Sequence, residues 1–275
     1  MRLRSLLFVP ADRPERFAKA AASGADAVIL DLEDSVALSA KDAARAAVAD
    51  YLAGSRGVPV LVRVNPLSSG MIEADLAAVL GGKPDGIVFP KAEGAKSIAA
   101  LAALMAVDMP ILPIATETAA AIFELGSYRE VSEKLLGLTW GAEDLPAATG
   151  AISSREDDGR YTQPYEMVRS LTLFGAHAAG VAAIETVFPA LRDEAGLATY
   201  VARARRDGFT GMMALHPAQV AIINAGFTPS DEDIARARHI IAAFAENPGA
   251  GVLSLDGQMI DAPHLAQARR VLSRV

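Results

Sequence analysis

The sequence predicts an α/β protein of the TIM (β/α)8-barrel class with a C-terminal cap made of helices and a hairpin. Eight short apolar segments alternate with longer helical patterns, and this repeated order is that of a barrel. The apolar segments are continuous and do not alternate with polar residues, which is typical of parallel strands covered on both faces. Residues 10–13, after the first segment, read Pro-Ala-Asp-Arg and lack the glycine-rich loop expected of an open doubly wound sheet.

The predicted strands are rich in aliphatic residues, and most of them end beside polar residues. They cover residues 5–10, 27–32, 58–64, 86–91, 111–116, 135–141, 182–188 and 211–216. The helical patterns between them cover residues 14–23, 40–52, 72–80, 97–107, 119–134, 165–179 and 196–207. Glycines stand where several of these helices should end, so we expect C-terminal caps at Gly24, Gly81, Gly180 and Gly208.

The pattern changes after the eighth predicted strand. It then predicts two helices, at residues 230–246 and 263–272, and a hairpin between them at residues 252–260. The hairpin turn carries Asp256 and Gly257, a pair that favours a tight two-residue turn. We therefore expect a barrel domain over residues 1–228 and a cap or arm over residues 229–275.

The composition limits the classes of function. A chain of 275 residues suits one large domain with a short appendage, and its 52% hydrophobic and 5% aromatic residues favour an aliphatic layered core. The net charge of −7 argues against nucleic acid as the main partner. The absence of cysteine excludes disulfides and thiolate metal sites. No apolar stretch approaches the roughly 20 residues of a membrane span, so we expect a cytoplasmic protein without a membrane partner.

Polar residues cluster where the predicted strands end, and the carboxyl ends of barrel strands form the active-site face. The cluster comprises Asp31, Glu33, Asp34, Arg63, Asn65, Lys91, Glu117, Glu143, Asp144, Glu185 and His216. Carboxylates outnumber cations in this set, which is unfavourable for desolvated groups unless a divalent cation binds. Oxygen ligands without paired His or Cys favour Mg²⁺, with Mn²⁺ as the alternative. Arg63 adds a planar fork that suits a substrate carboxylate.

Each of these residues alone also has an ordinary structural interpretation. Glu117 could lie in the first turn of the next helix, and Asp31 or Glu33 could simply pair with Arg63. Glu185 lies within an apolar segment, where it could be a buried partner of Arg63 or of a lysine such as Lys91. His216, followed by proline, could begin an ordinary loop. A functional site is favoured by the joint pattern, in which most of the predicted strands end at polar residues.

Several longer stretches carry a resemblance to a known family. They are residues 5–17 (SLLFVPADRPERF), 30–34 (LDLED), 62–65 (VRVN), 116–118 (TET), 140–145 (WGAEDL), 215–219 (LHPAQ) and 257–265 (GQMIDAPHL). Through them the chain resembles the citrate lyase β-subunit family, the group of malyl-CoA and citramalyl-CoA lyase-like proteins within the HpcH/HpaI aldolase superfamily. The resemblance runs from one end of the chain to the other.

The resemblance implies a TIM barrel that binds Mg²⁺ through a Glu and an Asp, which map onto Glu117 and Asp144. The arginine of the third strand maps onto Arg63 and would hold the substrate carboxylate or polarise its carbonyl. The positions that line the acyl-CoA site of the family correspond to Phe8, Arg13 and Lys19. Asp261 matches an acid/base that in some relatives reaches a neighbouring subunit's site, and members are typically trimers or multiples of trimers. The strand-end cluster completes the candidate site with Glu33 as a catalytic group and Glu143 and His216 as substrate-binding groups.

The phosphates of CoA need a basic entrance in this acidic chain. Basic residues cluster near the N-terminus, at Arg2, Arg4, Arg13, Arg16 and Lys19. A solvated helix face is an equally good interpretation for Arg2, Arg4 and Arg16. The chain also departs from the family pattern at Met212 and Glu185, where many relatives have lysine and aspartate, and these changes could alter the grip on the thioester or the choice of substrate.

The expected function is that of a Mg²⁺-dependent carbon–carbon lyase. It would cleave a 3-hydroxyacyl-CoA such as citramalyl-CoA or malyl-CoA to acetyl-CoA and a 2-oxo acid, by a retro-Claisen or retro-aldol reaction. Two alternatives stay open at this point. One is a metal-dependent aldolase acting on free 4-hydroxy-2-oxo acids, and the other is a citrate lyase β-subunit that acts on a thioester of an acyl carrier protein and depends on its partner.

Overall fold

The computed structural model describes residues 1–275 and contains eight parallel strands arranged as a barrel. The strands are β1 (Ser5–Pro10), β2 (Ala27–Asp31), β3 (Val60–Arg63), β4 (Gly86–Phe89), β5 (Ile111–Pro113), β6 (Gly137–Thr139), β7 (Ala182–Glu185) and β8 (Gly211–Ala214). Hydrogen-bonded neighbours follow the order β5-β4-β3-β2-β1-β8-β7-β6. Parallel bridges join Ile111 to Leu135 and Ile114 to Thr139, and they close the ring between β5 and β6. The predicted barrel class is confirmed.

Helices surround the strands and form the C-terminal segment. They are α1 (Phe17–Ala21), α2 (Lys41–Ala53), α3 (Ile72–Val79), α4 (Gly94–Met105), α5 (Ala119–Glu124), α6 (Leu145–Thr149), α7 (Gln163–Ala179), α8 (Glu194–Asp207), α9 (Pro217–Phe227), α10 (Asp231–Glu246) and α11 (Ala262–Leu272). Short 3-10 helices lie at Pro14–Arg16, Leu38–Ala40, Leu67–Ser69, Leu80–Gly82 and Leu125–Lys134. The chain divides into two compact units, Met1–Asn224 and Ala225–Val275.

Aliphatic side chains fill the inside of the barrel. The buried cluster there comprises Leu6, Ala27, Ile29, Leu61, Val88, Leu112, Ile114, Ile184 and Met213. Successive strand residues point to opposite faces, so the neighbours of these residues face the helices and are buried as well. Burial on both faces explains why the strands read as continuous apolar runs. Each fully buried aliphatic side chain contributes roughly 1.5–3 kcal/mol relative to an exposed one.

The helix predicted over residues 119–134 is correct only in its first part. It ends with α5, and Leu125–Lys134 continues as a 3-10 helix interrupted by non-helical backbone at Val131. The Tyr128 hydroxyl, fully buried, accepts a hydrogen bond from the backbone N–H of Gly94 at 3.2 Å. This contact at the start of α4 is a tertiary constraint that helix propensity does not register.

Other boundaries also differ from the prediction. Gly180 and Gly208 cap α7 and α8 with φ of 69° and 116°, as predicted. The prediction for Gly81 is wrong, because this residue lies within a 3-10 turn and Lys83 (φ 50°) takes the left-handed conformation. The helices α6 and α9 were not predicted. The first has only five residues, and the second has apolar residues on most sides, so neither shows a clear amphipathic pattern.

The C-terminal unit contains α10, α11 and the hairpin formed by β9 (Val252–Leu255) and β10 (Gln258–Asp261). Ser230 and Asp233 form a reciprocal capping box at the start of α10. The hairpin turns at Asp256 and Gly257, both with positive φ, as a tight turn of this kind requires. A small apolar cluster holds the unit together, with Ala237, Ile240, Ile260 and Ala268 buried. In the whole chain, no helix combines the length and the apolar character needed to cross a bilayer.

Candidate active site

A cavity of about 420 Å³ lies at the carboxyl ends of the barrel strands. Residues that follow or end most of the strands line it, among them Phe8, Asp31, Asp34, Arg63, Glu117, Glu143, Asp144, Thr186 and Leu215. The cavity is where parallel strands bring their polar ends together, as expected for a barrel of this type. The aliphatic barrel core forms its floor through Ile114 and Met213.

Arg63 is held at the cavity wall by two carboxylates. Its Nε and Nη2 donate hydrogen bonds to Asp31 at 2.6 and 2.7 Å, and its Nη1 lies 2.9 Å from Glu33. Asp31 and Arg63 are direct neighbours in the ladder between β2 and β3, so both side chains point to the inside of the barrel. Burial would raise the pKa of Asp31, but the guanidinium of Arg63 holds this pKa below its usual range. The arginine also stacks over Phe8 at 4.9 Å from the ring centre.

Glu33 links Arg63 to Lys91. The Lys91 ammonium lies 2.7 Å from Glu33, and the two opposing cations limit the rise in the pKa of Glu33 that its burial causes. Glu33 is 3% exposed and does not belong to the cavity wall. Its position therefore suits the orientation of the two cations, whereas the sequence suggested a catalytic group.

Glu117 is a buried carboxylate that faces the cavity. It precedes Thr118, whose side chain caps α5, so Glu117 does not lie in the first turn of that helix. One of its oxygens accepts a 2.6 Å hydrogen bond from the backbone N–H of Lys91, a residue with a left-handed backbone (φ 50°). Burial raises the pKa of Glu117 to about 8, and the nearby charges of Glu33 and Asp144 add to the rise.

Gly141 makes room for the Glu117 side chain. A Cβ atom at position 141 would lie 2.6 Å from Cγ of Glu117, a distance that real Cβ atoms do not show. The backbone N–H of Gly141 donates to the Thr116 hydroxyl at 3.1 Å, which ties the end of β6 to the end of β5. Sequence reasoning did not identify Gly141 or Thr116 as site residues, although a glycine directly after a strand is a signal of close approach.

Asp144 stands at the N-cap position of α6, but its side chain makes no capping hydrogen bond. The carboxylate is one third exposed, and its nearest cation is Lys91, with Nζ at 3.5 Å. Glu117 and Asp144 line the same cavity. The chain brings no three His, Asp or Glu side chains together around a common point. The two carboxylates predicted from the sequence as metal ligands thus stand as a pair.

The pair fits Mg²⁺ in its chemistry. Magnesium is commonly held by one or two carboxylates, with waters and substrate oxygens completing the shell. One oxygen of the buried Glu117 accepts a hydrogen bond from the backbone N–H of Lys91. The charge of Asp144 contributes to the raised pKa of Glu117, and a bound cation would relieve this repulsion.

A second cavity of about 360 Å³ adjoins the first one. Phe8, Pro10 and Leu215 line both cavities, and the second also contacts Arg16, Lys19 and His216. The positions of Phe8, Lys19 and His216 therefore agree with a binding groove. Arg13 does not line either of these two cavities; its side chain is 57% exposed and lies 3.8 Å from Asp12.

Some residues of the predicted cluster lie elsewhere. Glu185 is fully buried on the helix side of β7, where it pairs with Arg169 at 2.7 Å, so the predicted pairing with Arg63 or Lys91 is wrong. Ile184 points into the barrel, and its neighbour must point outwards. Asn65 likewise faces the outer layer, where it accepts a hydrogen bond from Lys41 and donates one to Asp75.

Met212 and Arg4 are also outside the site. Met212 is fully buried and pairs in register with Ser5, which faces α9, so neither family departure, Met212 or Glu185, lines the cavity. Arg4 forms a bidentate pair with Asp26 before β1 begins, at the amino ends of the strands. It is therefore not part of a basic entrance to the cavity.

Asp261 belongs to the C-terminal unit and caps the start of α11. Its Oδ1 lies 2.6 Å from Nδ1 of His264, and both side chains are partly exposed. The pair is thus a hydrogen-bonded carboxylate and imidazole that solvent can reach.

Glu143 directly precedes Asp144 and also lines the cavity. Its carboxylate is more than half exposed and lies 4.0 Å from Arg155. It lines the cavity, in agreement with the position expected of a substrate-binding group.

Comparison with known proteins gives consistent matches over the whole chain. The profile of the family described as "HpcH/HpaI aldolase/citrate lyase" matches residues 4–217. The (3S)-malyl-CoA thioesterase of Cereibacter sphaeroides is 35% identical, over 98% of this chain and 94% of that protein. The mitochondrial citramalyl-CoA lyase of Rattus norvegicus is 32% identical, over 98% of this chain and 85% of that protein.

A solved structure agrees with the fold as well. The crystal structure of CitE from Mycobacterium tuberculosis in complex with magnesium, acetoacetate and coenzyme A superposes with a TM-score of 0.84 at 37% identity, covering 98% of this chain and 97% of that one. The profile match and the end-to-end identities identify the family. This chain belongs to the HpcH/HpaI aldolase/citrate lyase family and is an enzyme of the carbon–carbon lyase type.

Proposed function

We propose that this protein is a magnesium-dependent lyase that cleaves a 3-hydroxyacyl-CoA, such as citramalyl-CoA or malyl-CoA, to acetyl-CoA and a 2-oxo acid. The observation that carries the proposal is the convergence in one cavity of a carboxylate pair, Glu117 and Asp144, with the guanidinium of Arg63. The pair suits a hard cation, and the fork suits the carboxylate of a hydroxy acid. The citramalyl-CoA lyase name of a relative and the magnesium and coenzyme A bound to CitE support the same assignment.

The reaction needs a hydroxyl group and a carboxylate on the same carbon. The hydroxyl loses its proton, the bond to the carbon next to the thioester breaks, and the freed thioester enolate takes up a proton to become acetyl-CoA. Bound Mg²⁺ would supply Lewis-acid polarisation of the substrate oxygens. Arg63 would stabilise the negative charge that develops on the hydroxyl oxygen, because Asp31 and Glu33 hold its planar group in place and leave N–H donors for the ligand.

The adjoining cavity is suited to the CoA part of the substrate. The shared lining at Phe8 and Leu215 allows one molecule to occupy both cavities at once. Arg16 and Lys19 place positive charge beside the second cavity, where phosphates would bind. This arrangement favours a CoA thioester over a free 4-hydroxy-2-oxo acid, which would need only the first cavity.

We further propose that the enzyme is a homotrimer or a multiple of trimers, in which Asp261 of a neighbouring subunit donates the proton. Self-association is supported by an exposed apolar stripe on α7. Met167, Leu171 and Phe174 are spaced to share one face of the helix, and Phe174 is 65% exposed. Light scattering on the purified protein measures the mass, and a monomer that is fully active would contradict both statements.

A panel of CoA thioesters assayed with Mg²⁺ and with EDTA tests the reaction. We expect Mg²⁺-dependent formation of a 2-oxo acid together with acetyl-CoA and without free thiol. Release of free CoA instead would favour hydrolysis, the reaction in the name of the malyl-CoA thioesterase relative. Activity only after addition of an acylated carrier protein would favour a partner-dependent citrate lyase subunit. Turnover that is unchanged in EDTA would contradict the magnesium assignment.

A further inference from the structure

A buried charged network lies behind the cavity wall, on the helix side of β6 and β7. At its centre is Glu185, which is fully buried between the strands and α7. One of its oxygens accepts hydrogen bonds from Trp140 Nε1 at 2.5 Å and from the backbone N–H of Thr186 at 3.0 Å. The other oxygen accepts from Nε of Arg169 at 2.7 Å. Glu185 therefore accepts hydrogen bonds from three donors.

This network is in contact with the segment that carries Asp144. Trp140 is fully buried and directly precedes residues 141–144, all of which line the cavity. Its indole is held at its nitrogen by Glu185 and at its ring by Tyr161, whose ring lies edge-on at 5.0 Å. The start of the segment thus has one fixed position, set by contacts outside the cavity.

The other end of the segment lies near the same network. The Tyr161 hydroxyl accepts a hydrogen bond from Arg155 at 2.7 Å, and the Arg155 guanidinium lies over the Tyr161 ring. Arg155 is also 4.0 Å from the carboxylate of Glu143, the neighbour of Asp144. The segment is therefore fixed at its start by Trp140, and Glu143 lies near a guanidinium that Tyr161 holds.

We propose that Arg169, Glu185 and Trp140 are positioning residues for magnesium, because they hold the 141–144 segment where Asp144 can share a cation with Glu117. The inference rests on the proposed function, since it takes Asp144 as a ligand. A buried ion pair that affects only stability could be replaced by apolar groups of similar volume with little loss of folding free energy. We expect the network to act on magnesium through the segment, since groups that orient a metal ligand typically change metal affinity by about 10–100-fold.

The chain offers a direct probe of the segment, because Trp140 is its only tryptophan. Its fluorescence in EDTA-treated protein titrated with MgCl₂ should report binding, and calorimetry should give the same Kd. The test variant is Glu185→Gln, whose single amide oxygen cannot serve three donors. The matched control is Asp207→Asn, which removes the other carboxylate partner of Arg169 (2.7 Å) without touching Trp140.

We expect Glu185→Gln to raise the Mg²⁺ Kd about tenfold or more, and Asp207→Asn to change it by less than about threefold even where both variants lower the Tm. Trp140→Phe removes the N–H donor together with part of the buried ring volume, and calorimetry on it gives a second readout if Glu185→Gln does not fold. Unchanged Mg²⁺ affinity in Glu185→Gln or Trp140→Phe, or equal losses in variant and control, would overturn the positioning role. Absence of Mg²⁺ binding by the unmodified protein would instead overturn the proposed function, and the inference with it.

Discussion

The two sides of the cavity differ in how their charges are balanced. On the side formed by β2 to β4, Asp31, Glu33, Arg63 and Lys91 form a chain of contacts of 2.6 to 2.9 Å. On the side formed by β5 and β6, Glu117 and Asp144 have no arginine partner, and Lys91 reaches Asp144 only at 3.5 Å. Both sides are close to fully buried at their centres, since Asp31 and Glu117 are 2% and 4% exposed.

This difference indicates what each side does. The first side is complete without a ligand, so its carboxylates serve to hold Arg63 in a fixed orientation. On the second side, burial raises the pKa of Glu117, the charges of Glu33 and Asp144 add to the rise, and a cation from outside the chain would stabilise the carboxylate pair. This difference supports the proposal that the first side orients the substrate and the second holds the metal.

The largest effect is expected from Asp144→Ala. Loss of one of two metal ligands should abolish Mg²⁺-dependent turnover. The Tm in EDTA should stay close to that of the unmodified protein, because the Asp144 side chain is one third exposed and makes no capping hydrogen bond. Asp34→Ala is the matched control, since Asp34 is an exposed carboxylate that lines the same cavity outside the proposed pair. Full turnover of Asp144→Ala would contradict the division between the two sides.

A smaller loss, roughly 10²-fold or more in kcat, is expected for Arg63→Ala, which removes an electrostatic donor of the transition state. This variant also leaves Asp31 buried without its partner, which typically costs about 3–5 kcal/mol of folding free energy. Arg63→Lys, which keeps one positive charge but not the fork, separates the two effects. Urea unfolding and kcat should be measured on both, and full activity of Arg63→Lys would argue against fork-like recognition.

The pH dependence of Mg²⁺ binding should follow Glu117. With its pKa at about 8, the metal-free protein holds a proton there at neutral pH, and binding must release it. The apparent affinity should rise up to about tenfold per pH unit below pH 8 and level off above it. Calorimetry in two buffers of different ionisation enthalpy measures the released proton. Mg²⁺ binding without proton release near pH 7 would contradict the raised pKa.

The raised pKa of Glu117 also determines whether the free energy of unfolding rises or falls with pH. An unfolded chain ionises this glutamate near pH 4.3, whereas the metal-free folded protein keeps it protonated up to about pH 8. The folded state therefore binds more protons in this window, and the free energy of unfolding of the metal-free protein should fall as the pH rises from about 4 to 8. Saturating Mg²⁺ should weaken that fall.

The smallest effect is expected outside both sides, in the adjoining cavity. Lys19→Ala should raise KM for a CoA thioester several-fold and leave kcat unchanged, because it removes a contact made equally to substrate and transition state. Arg13→Ala should leave both constants nearly unchanged, since Arg13 does not line that cavity and its side chain is more than half exposed. Equal effects of the two substitutions would indicate a diffuse basic surface instead of a defined groove.

Much of this organisation was predictable from local patterns. The eight apolar segments, the polar residues at their ends and the family stretches led to the barrel and to the residues that line the cavity. Asp31, Arg63, Glu117 and Asp144 all lie where a barrel brings strand ends together. The reason is that period and order along the chain suffice to define parallel strands and their carboxyl ends.

The orientation and pairing of the same residues depended on the tertiary structure. Barrel strands are apolar on both faces, so hydropathy did not show that Glu185 points outwards to Arg169 while Asp31 points inwards to Arg63. Nor could it show that Gly141 lies against Glu117, or that burial raises the pKa of this carboxyl. The sequence defines the chemical groups of each residue. The solvation of a residue and its nearest charges depend on segments that are far apart in the chain and that only folding brings together.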